Sequence, residues 1–119
     1  MTEVEKQTKA LAAGIRKSSE HEAYRRTYTK LCMQPELLKE VNRFRRCYFL
    51  LLNQPEGEDR TRQIIQLEED FSAVLKNGAV REFLAAQQKL CTMMQEVYRT
   101  LDDAADLELG FMFEPEEEQ

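Results

Sequence analysis

The chain has 119 residues, of which 42% are hydrophobic and 33% are charged, and it contains only four glycines and three prolines. This length suits a single domain, and the scarcity of chain breakers argues against a sheet with many turns and for long, solvated helices. The formal net charge of −5 argues against a general nucleic-acid or anionic-membrane binder, because phosphate groups repel an acidic chain at long range.

Two features predict a cytosolic protein. Charged residues occupy the N-terminus, where a signal peptide would have its apolar segment. The longest uncharged run, Cys47 to Pro55, has nine residues and is far too short to span a membrane. In the reducing cytosol, the three widely separated cysteines should remain thiols.

The N-terminal third carries two helix start signals. Thr2 and Glu5 have the spacing of a capping box, so a first helix is predicted to begin just after Thr2. Ser18 and Ser19 then offer new caps, which predict a break or a kink at that point. The sequence leaves open whether residues 3–32 form one bent helix or two.

The middle of the chain predicts two further helices. Pro35 suits the first turn of a helix, where its missing N–H costs nothing, and the apolar spacing continues to about Asn53. Residues 54–57, which include proline and glycine, predict a loop. Apolar residues at helical spacing then predict a helix over residues 59–76.

The last helix, over residues 77–106, is predicted to be the longest. Asn77 can cap its first turn, and no proline interrupts residues 78–106. A broad apolar face at alternating steps of three and four residues indicates an amphipathic helix that must bury one side against other helices.

The predicted fold class is therefore all-α: a bundle of about four to five antiparallel helices with a long C-terminal helix, which we expect to form dimers. One helical domain is expected over residues 1–108, followed at 109–119 by a tail that is first apolar and then acidic. We call the predicted core and self-association residues the seam; they are Phe44, Tyr48, Phe71, Phe83, Leu90, Met94, Val97 and Leu101.

Catalytic and metal sites have little support in the sequence. His21 is the only histidine and lies between two glutamates, so we predict no catalytic residue and no cofactor. Cys32, Cys47 and Cys91 fall on separate predicted helices without a C-x-x-C pair, and we expect them to pack in the core as small hydrophobes. A metal or iron–sulfur protein built on these three cysteines is the alternative reading.

A basic and aromatic cluster combines Arg43, Arg45 and Arg46 with Phe44 and Tyr48. Such a mixture can form a nucleic-acid surface. On a helix, however, the two aromatic residues share one face while the arginines spread over the others. We therefore expect a core stripe flanked by arginines that pair with acidic residues, and no direct nucleic-acid binding.

The tail contains a short apolar segment, Leu109 to Phe113, that should not lie free in water. It can fold back onto its own bundle, which we favour, or dock onto a second subunit or another protein. In the second case the residues in contact with the partner would be Phe111, Met112 and Phe113.

An ordered set of residues resembles the YlbF/YmcA/YheA family of small helical bacterial proteins. The resemblance covers about residues 8 to 106 and rests on no single sharp motif. It is carried by the run from Leu75 to Val97, by Ile15 to Glu20, by Tyr24 and Tyr28, by Pro35 to Leu38, and by Val41, Asn42 and Phe44.

The resemblance implies a helical, often homo-oligomeric cytosolic protein without known catalytic activity. Some members regulate competence, sporulation and biofilm formation together with related helical proteins and a membrane-bound ribonuclease that processes messenger RNA. Two departures are present: no cysteine follows Cys91, so no iron–sulfur ligand of the family can be carried over, and Gln34 stands where an acidic cap would be expected.

These observations lead to one functional hypothesis and three alternatives. The first is a non-enzymatic adaptor that binds itself, and further binds related helical proteins and a ribonuclease complex. The alternatives are the metal protein described above, an RNA-binding protein that uses the three arginines, and a self-assembling helical protein of unknown role.

Overall fold

The computed structural model describes residues 1–113. Within that range the chain is all-α, as predicted, with no strand and with a long C-terminal helix. The helices are α1 (Glu3–Lys17), α2 (Ser19–Cys32), α3 (Pro35–Leu52), α4 (Glu58–Asp70), α5 (Ser72–Lys76) and α6 (Gly78–Ala105), followed by a 3-10 turn at Gly110–Phe113.

Ser18 separates α1 from α2, so residues 3–32 form two helices. Its backbone is extended, with φ −67° and ψ 151°. The hydroxyl accepts a hydrogen bond from the backbone N–H of His21 at 3.1 Å and donates to the carbonyl of Ile15 at 2.6 Å. The Ser18 side chain therefore satisfies one backbone group at the end of α1 and one at the start of α2.

The region predicted as one helix over residues 59–76 is also two helices, which brings the number of α-helices in residues 1–113 to six. The break lies at Phe71, whose φ of −104° and ψ of 19° depart from helical values. Phe71 turns inward, and its ring lies 5.7 Å from that of Phe44. The apolar spacing continues across this break, so periodicity alone does not reveal it.

Arg60 holds the loop between α3 and α4. Its guanidinium donates hydrogen bonds to the carbonyls of Leu52 and Gln54, at 3.4 and 3.2 Å. These carbonyls lie at the end of α3, where no helical N–H remains to satisfy them. The side chain of a residue in α4 thus fixes the return of the chain after α3.

The α6 helix begins and ends at clear signals. The Asn77 side chain accepts hydrogen bonds from the backbone N–H groups of Ala79 and Val80, at 2.9 and 3.3 Å. The helix ends at Asp106, which adopts the left-handed conformation with φ 49° and ψ 43°, a frequent way for a helix to stop.

The core forms where α2 crosses the first half of α6, and α3 closes it. Lys30 near the end of α2 pairs with Glu82 near the start of α6 at 3.6 Å, whereas Tyr24, earlier in α2, lines the same groove as Gln87 and later residues of α6. The two helices are therefore antiparallel. The fully buried side chains are Leu31, Val41, Val80 and Phe83.

The molecule is flat and open. Its extents are 51 × 47 × 16 Å and its radius of gyration is 19.1 Å, against about 13–14 Å for a compact domain of this length. The accessible surface is 9861 Å², whereas a compact folded protein of 14.0 kDa exposes roughly 6,700 Å². A single chain consequently leaves much of its apolar helix surface in contact with water.

We predict that Phe83→Ala lowers the free energy of unfolding by about 3–5 kcal/mol, because a large, fully buried ring is replaced by a cavity. Urea denaturation followed by circular dichroism measures the change. Met33→Ala is the matched control, since Met33 is exposed and its truncation should cost less than about 0.5 kcal/mol. Equal losses in the two variants would contradict this placement of the core.

Candidate interaction surface

An open apolar groove runs between α3 and α6, with Tyr24 of α2 at one side. Its volume is about 730 Å³. We call it the α3–α6 groove. It is lined by Tyr24, Arg45, Arg46, Phe49, Gln87, Leu90, Cys91, Met94, Gln95 and Tyr98.

The groove exists because α6 continues its apolar face beyond the core. Leu90 and Met94 are half-buried, while Phe49 and Tyr98 are 63% and 59% exposed. Side chains at steps of four residues on α6 share one face, so this face is continuous with the buried Phe83. Contiguous exposed apolar surface of this kind makes the groove a candidate interaction site.

Arg45 is fixed in place at the wall of the groove. Its guanidinium lies 4.9 Å from the centre of the Phe83 ring and donates hydrogen bonds to the Asn42 side chain at 3.1 Å and to the Tyr24 hydroxyl at 3.5 Å. A guanidinium over an aromatic face is attracted by the electron density of the ring. Arg45 therefore covers the core and also presents positive charge to the groove.

Positive charge in the groove has no internal counterion within residues 1–113. The ion pairs found there use Arg26, Lys30, Arg43, Arg60 and Arg62. Neither Arg45 nor Arg46 has a carboxylate of this range within ion-pair distance. The expectation that the three arginines pair with acidic residues is thus correct for Arg43, which pairs with Glu40 at 3.1 Å, and wrong for the other two.

Gln87 adds an unused hydrogen-bond acceptor to the groove wall. Its side-chain oxygen is buried and finds no hydrogen-bond partner among the residues that the structure describes. Buried amide oxygens are normally paired. An incoming N–H group at this position would therefore gain a hydrogen bond that the chain alone does not supply.

The eight seam residues differ widely in burial. Phe44 and Phe83 are buried, whereas Leu101 near the end of α6 is exposed. Half-buried positions lie between these extremes; they are Tyr48, Phe71, Leu90, Met94 and Val97. The seam thus joins the core at one end and an open helix face at the other.

A second open surface lies on α1. This helix packs against α2 but buries none of its own residues. Val4 and Leu11 are exposed, although both belong to its apolar stripe. The far half of α6 and the apolar stripe of α1 are therefore both incompletely covered in a single chain.

The apolar segment does not pack onto the helices as far as Met112, contrary to the favoured alternative. Phe111 and Met112 are 65% and 62% exposed, and Leu107 and Leu109 are exposed as well. Phe113 ends the 3-10 turn. The predicted acidic end, residues 114–119, lies outside the described residues.

The three cysteines are all exposed, so the expectation that they pack in the core is wrong. Each lies at the edge of an apolar stripe, next to a residue that faces inward, as Cys32 follows the buried Leu31. Cys32, Cys47 and Cys91 lie on α2, α3 and α6. No group of three histidine, cysteine, aspartate or glutamate side chains converges on one point in residues 1–113.

His21 lies in the first turn of α2 and is half-buried. Its backbone N–H donates a hydrogen bond to the hydroxyl of Ser18, the residue that caps α2. Across the described range, no helix has the length and apolar character needed to cross a membrane.

Comparisons with known proteins place this chain in a family. Residues 4–105 match the family described as control of competence regulator ComK, YlbF/YmcA. The chain is 24% identical over 104 residues to UPF0342 protein STH1710 of Symbiobacterium thermophilum, an alignment that covers 86% of this chain and 93% of that protein. No solved structure matches the chain significantly.

We predict that Arg45→Ala lowers the free energy of unfolding by about 1–2 kcal/mol, because the guanidinium that covers Phe83 and its packed stem are both lost. Arg46→Ala is the matched control: the exposed neighbour should change stability by less than about 0.5 kcal/mol. Urea denaturation of both variants tests the difference, and equal effects would contradict the role of Arg45 in the core.

Proposed function

Because this chain belongs to the YlbF/YmcA family, we propose that it is a non-enzymatic helical regulator that acts through protein–protein contacts. The family is named for control of the competence regulator ComK, which supports a regulatory role. The proposed partners are a second copy of the chain, related helical proteins and a ribonuclease complex in the cytoplasm. The processes would be competence, sporulation or messenger processing.

The observation that carries this proposal is the large surface that a single chain leaves open, which includes apolar side chains of α1 and α6 such as Val4, Tyr98 and Leu101. The accessible surface exceeds that of a compact protein of this mass by roughly 3,000 Å², given the value of 9861 Å² for this chain. Obligate dimers bury about 2,000–5,000 Å² in total. The excess is therefore large enough for a stable interface with another chain.

Self-association would use the seam where it is least covered. Met94 and Val97 are half-buried and Tyr98 and Leu101 are exposed on one continuous side of α6. In a symmetric dimer each chain covers the same patch of the other, so every contact is made twice. The far half of α6 would then gain the partner surface that the α2 crossing supplies to its first half.

Within residues 1–113, no observation supports the metal or iron–sulfur alternative as the open surface supports the adaptor. Its three thiols belong to different helices, and they do not form a convergent group with other ligand side chains in residues 1–113. We therefore retain the adaptor as the proposed function.

Sedimentation velocity of the full chain tests self-association. We expect a dimer or larger species for the natural sequence, and for Tyr98→Asp a shift towards monomer by about tenfold or more in the dissociation constant, because an unpaired carboxylate in an apolar interface is costly. Tyr98 is exposed in the single chain, so the variant should fold.

Met33→Asp is the matched control, because Met33 is exposed just after the end of α2 and does not line the groove. It should sediment as the natural chain does. A natural chain that sediments as a monomer at high concentration would refute self-association.

A native pull-down of the tagged chain, read by mass spectrometry, tests the adaptor role. We expect recovery of related helical proteins or a ribonuclease, and loss of these partners with Tyr98→Asp. Met33→Asp again provides the control. Recovery of the tagged chain alone would contradict a role as an adaptor in a larger complex.

A further inference from the structure

Residues 107–118, which we call the C-terminal segment, carry the entire net charge of the chain. Residues 1–106 contain all 17 lysines and arginines and 17 of the 22 acidic residues, so their formal charge is zero. The remaining charge of −5 comes from five glutamates, Glu108, Glu114, Glu116, Glu117 and Glu118. The helical body is therefore neutral, and the C-terminal segment is a separate, strongly acidic element.

The same segment is apolar where it leaves the bundle. Leu107, Leu109, Phe111 and Met112 are exposed, within a stretch of six residues. The carboxylate of Glu108 accepts a hydrogen bond from the backbone N–H of Gly110 at 2.6 Å, which shapes the turn before Phe111. Apolar side chains followed by glutamates make a ligand for a surface that is both apolar and basic.

The α3–α6 groove is such a surface. Its floor holds Leu90 and Met94, and its walls hold Arg45 and Arg46, which have no carboxylate within ion-pair distance in residues 1–113. Opposite charges at an interface select the partner and its orientation. Aromatic and methionine side chains from a neighbouring chain would fill the apolar floor while the glutamates approach the arginines.

We propose that the α3–α6 groove binds the C-terminal segment, residues 107–118, of a second copy of the chain. Since Phe111 and Met112 stay exposed after α6, these two side chains do not fill the groove of their own chain. Exchange between two copies fills both grooves by the same contact, as a twofold axis requires. This inference rests on the proposed self-association, and it identifies the segment and the surface that meet.

The natural Cys91 lies exposed in the groove and allows a direct test. In the full chain, Cys32→Ser and Cys47→Ser remove the other two exposed thiols, and Phe111→Cys places a new thiol in the C-terminal segment. Treatment with a short bismaleimide should then link Cys91 of one copy to position 111 of the other. We expect a covalent dimer whose peptide map contains this pair.

Two control chains carry the same serine substitutions. One has no new thiol, and it should yield at least about fivefold less covalent dimer, since Cys91 of one copy is not placed against Cys91 of the other. The second has Glu68→Cys on α4, exposed and outside the groove. Equal linkage of positions 68 and 111 to Cys91 would mean random collision and would overturn the proposal.

Charge reversal tests the arginines in the same assay. Arg46→Glu should reduce linkage by about fivefold at low salt, because attraction between partly exposed charges becomes repulsion. Glu116→Arg combined with Glu117→Arg should restore it. Arg81→Glu, also exposed but outside the groove, should leave linkage unchanged; a loss equal to that of Arg46→Glu would overturn a specific role for the groove arginines.

The possible outcomes separate this inference from the proposed function. Sedimentation of the same chains as dimers, without a link between Cys91 and position 111, would overturn the placement of the C-terminal segment and leave self-association intact. Linkage within one chain, seen as a monomer that has lost both thiols, would overturn exchange between copies. A monomer in sedimentation would refute both proposals.

Discussion

The packing of Phe83 is the interaction on which the rest of this structure depends. The ring is fully buried, with its centre 5.4 Å from the ring of Tyr24 and 6.0 Å from that of Tyr28, and Arg45 covers it from α3. Three helices therefore meet on one side chain. These contacts fix the crossing of α2 and α6. Because the core around Phe83 is small, the remainder of α6 extends away from it.

This arrangement leaves the apolar face of α6 only partly used. Close to Phe83 the face is dry, at Leu90 and Met94 it is half-buried, and at Tyr98 and Leu101 it lies in water. Hydrophobic stabilisation grows with the apolar area removed from water. The apolar surface that a single chain leaves in water would therefore favour the proposed association with another chain.

The helices could be predicted from the sequence because their signals are local. The caps at Thr2 and Asn77 and the proline at position 35 act within one turn, and the structure shows all three in the predicted places. The break at Phe71 escaped prediction, because this residue continues the apolar spacing while its backbone leaves the helix. Periodicity indicates which side of a helix is apolar, and it does not show where the backbone bends to bring that side inward.

The candidate interaction surface was harder to predict, because it depends on how much of each helix face is covered by neighbouring helices. The sequence placed Cys32, Cys47 and Cys91 beside apolar stripes, but whether such an edge position is buried depends on the neighbouring helix, and here all three are exposed. In the same way, the sequence indicated that Arg45 lies beside an aromatic stripe, but the contact with Phe83 joins residues 38 positions apart on different helices. Only the tertiary arrangement reveals it.

The central claim is that the far half of α6 is completed by another chain. Hydrogen exchange at increasing protein concentration tests it most directly, since amide protection follows the population of the covered state. The account predicts that exchange in residues 94–105 slows as concentration rises, while exchange in α4, outside the proposed interface, stays constant. Exchange in residues 94–105 that is equally fast at all concentrations would contradict the claim.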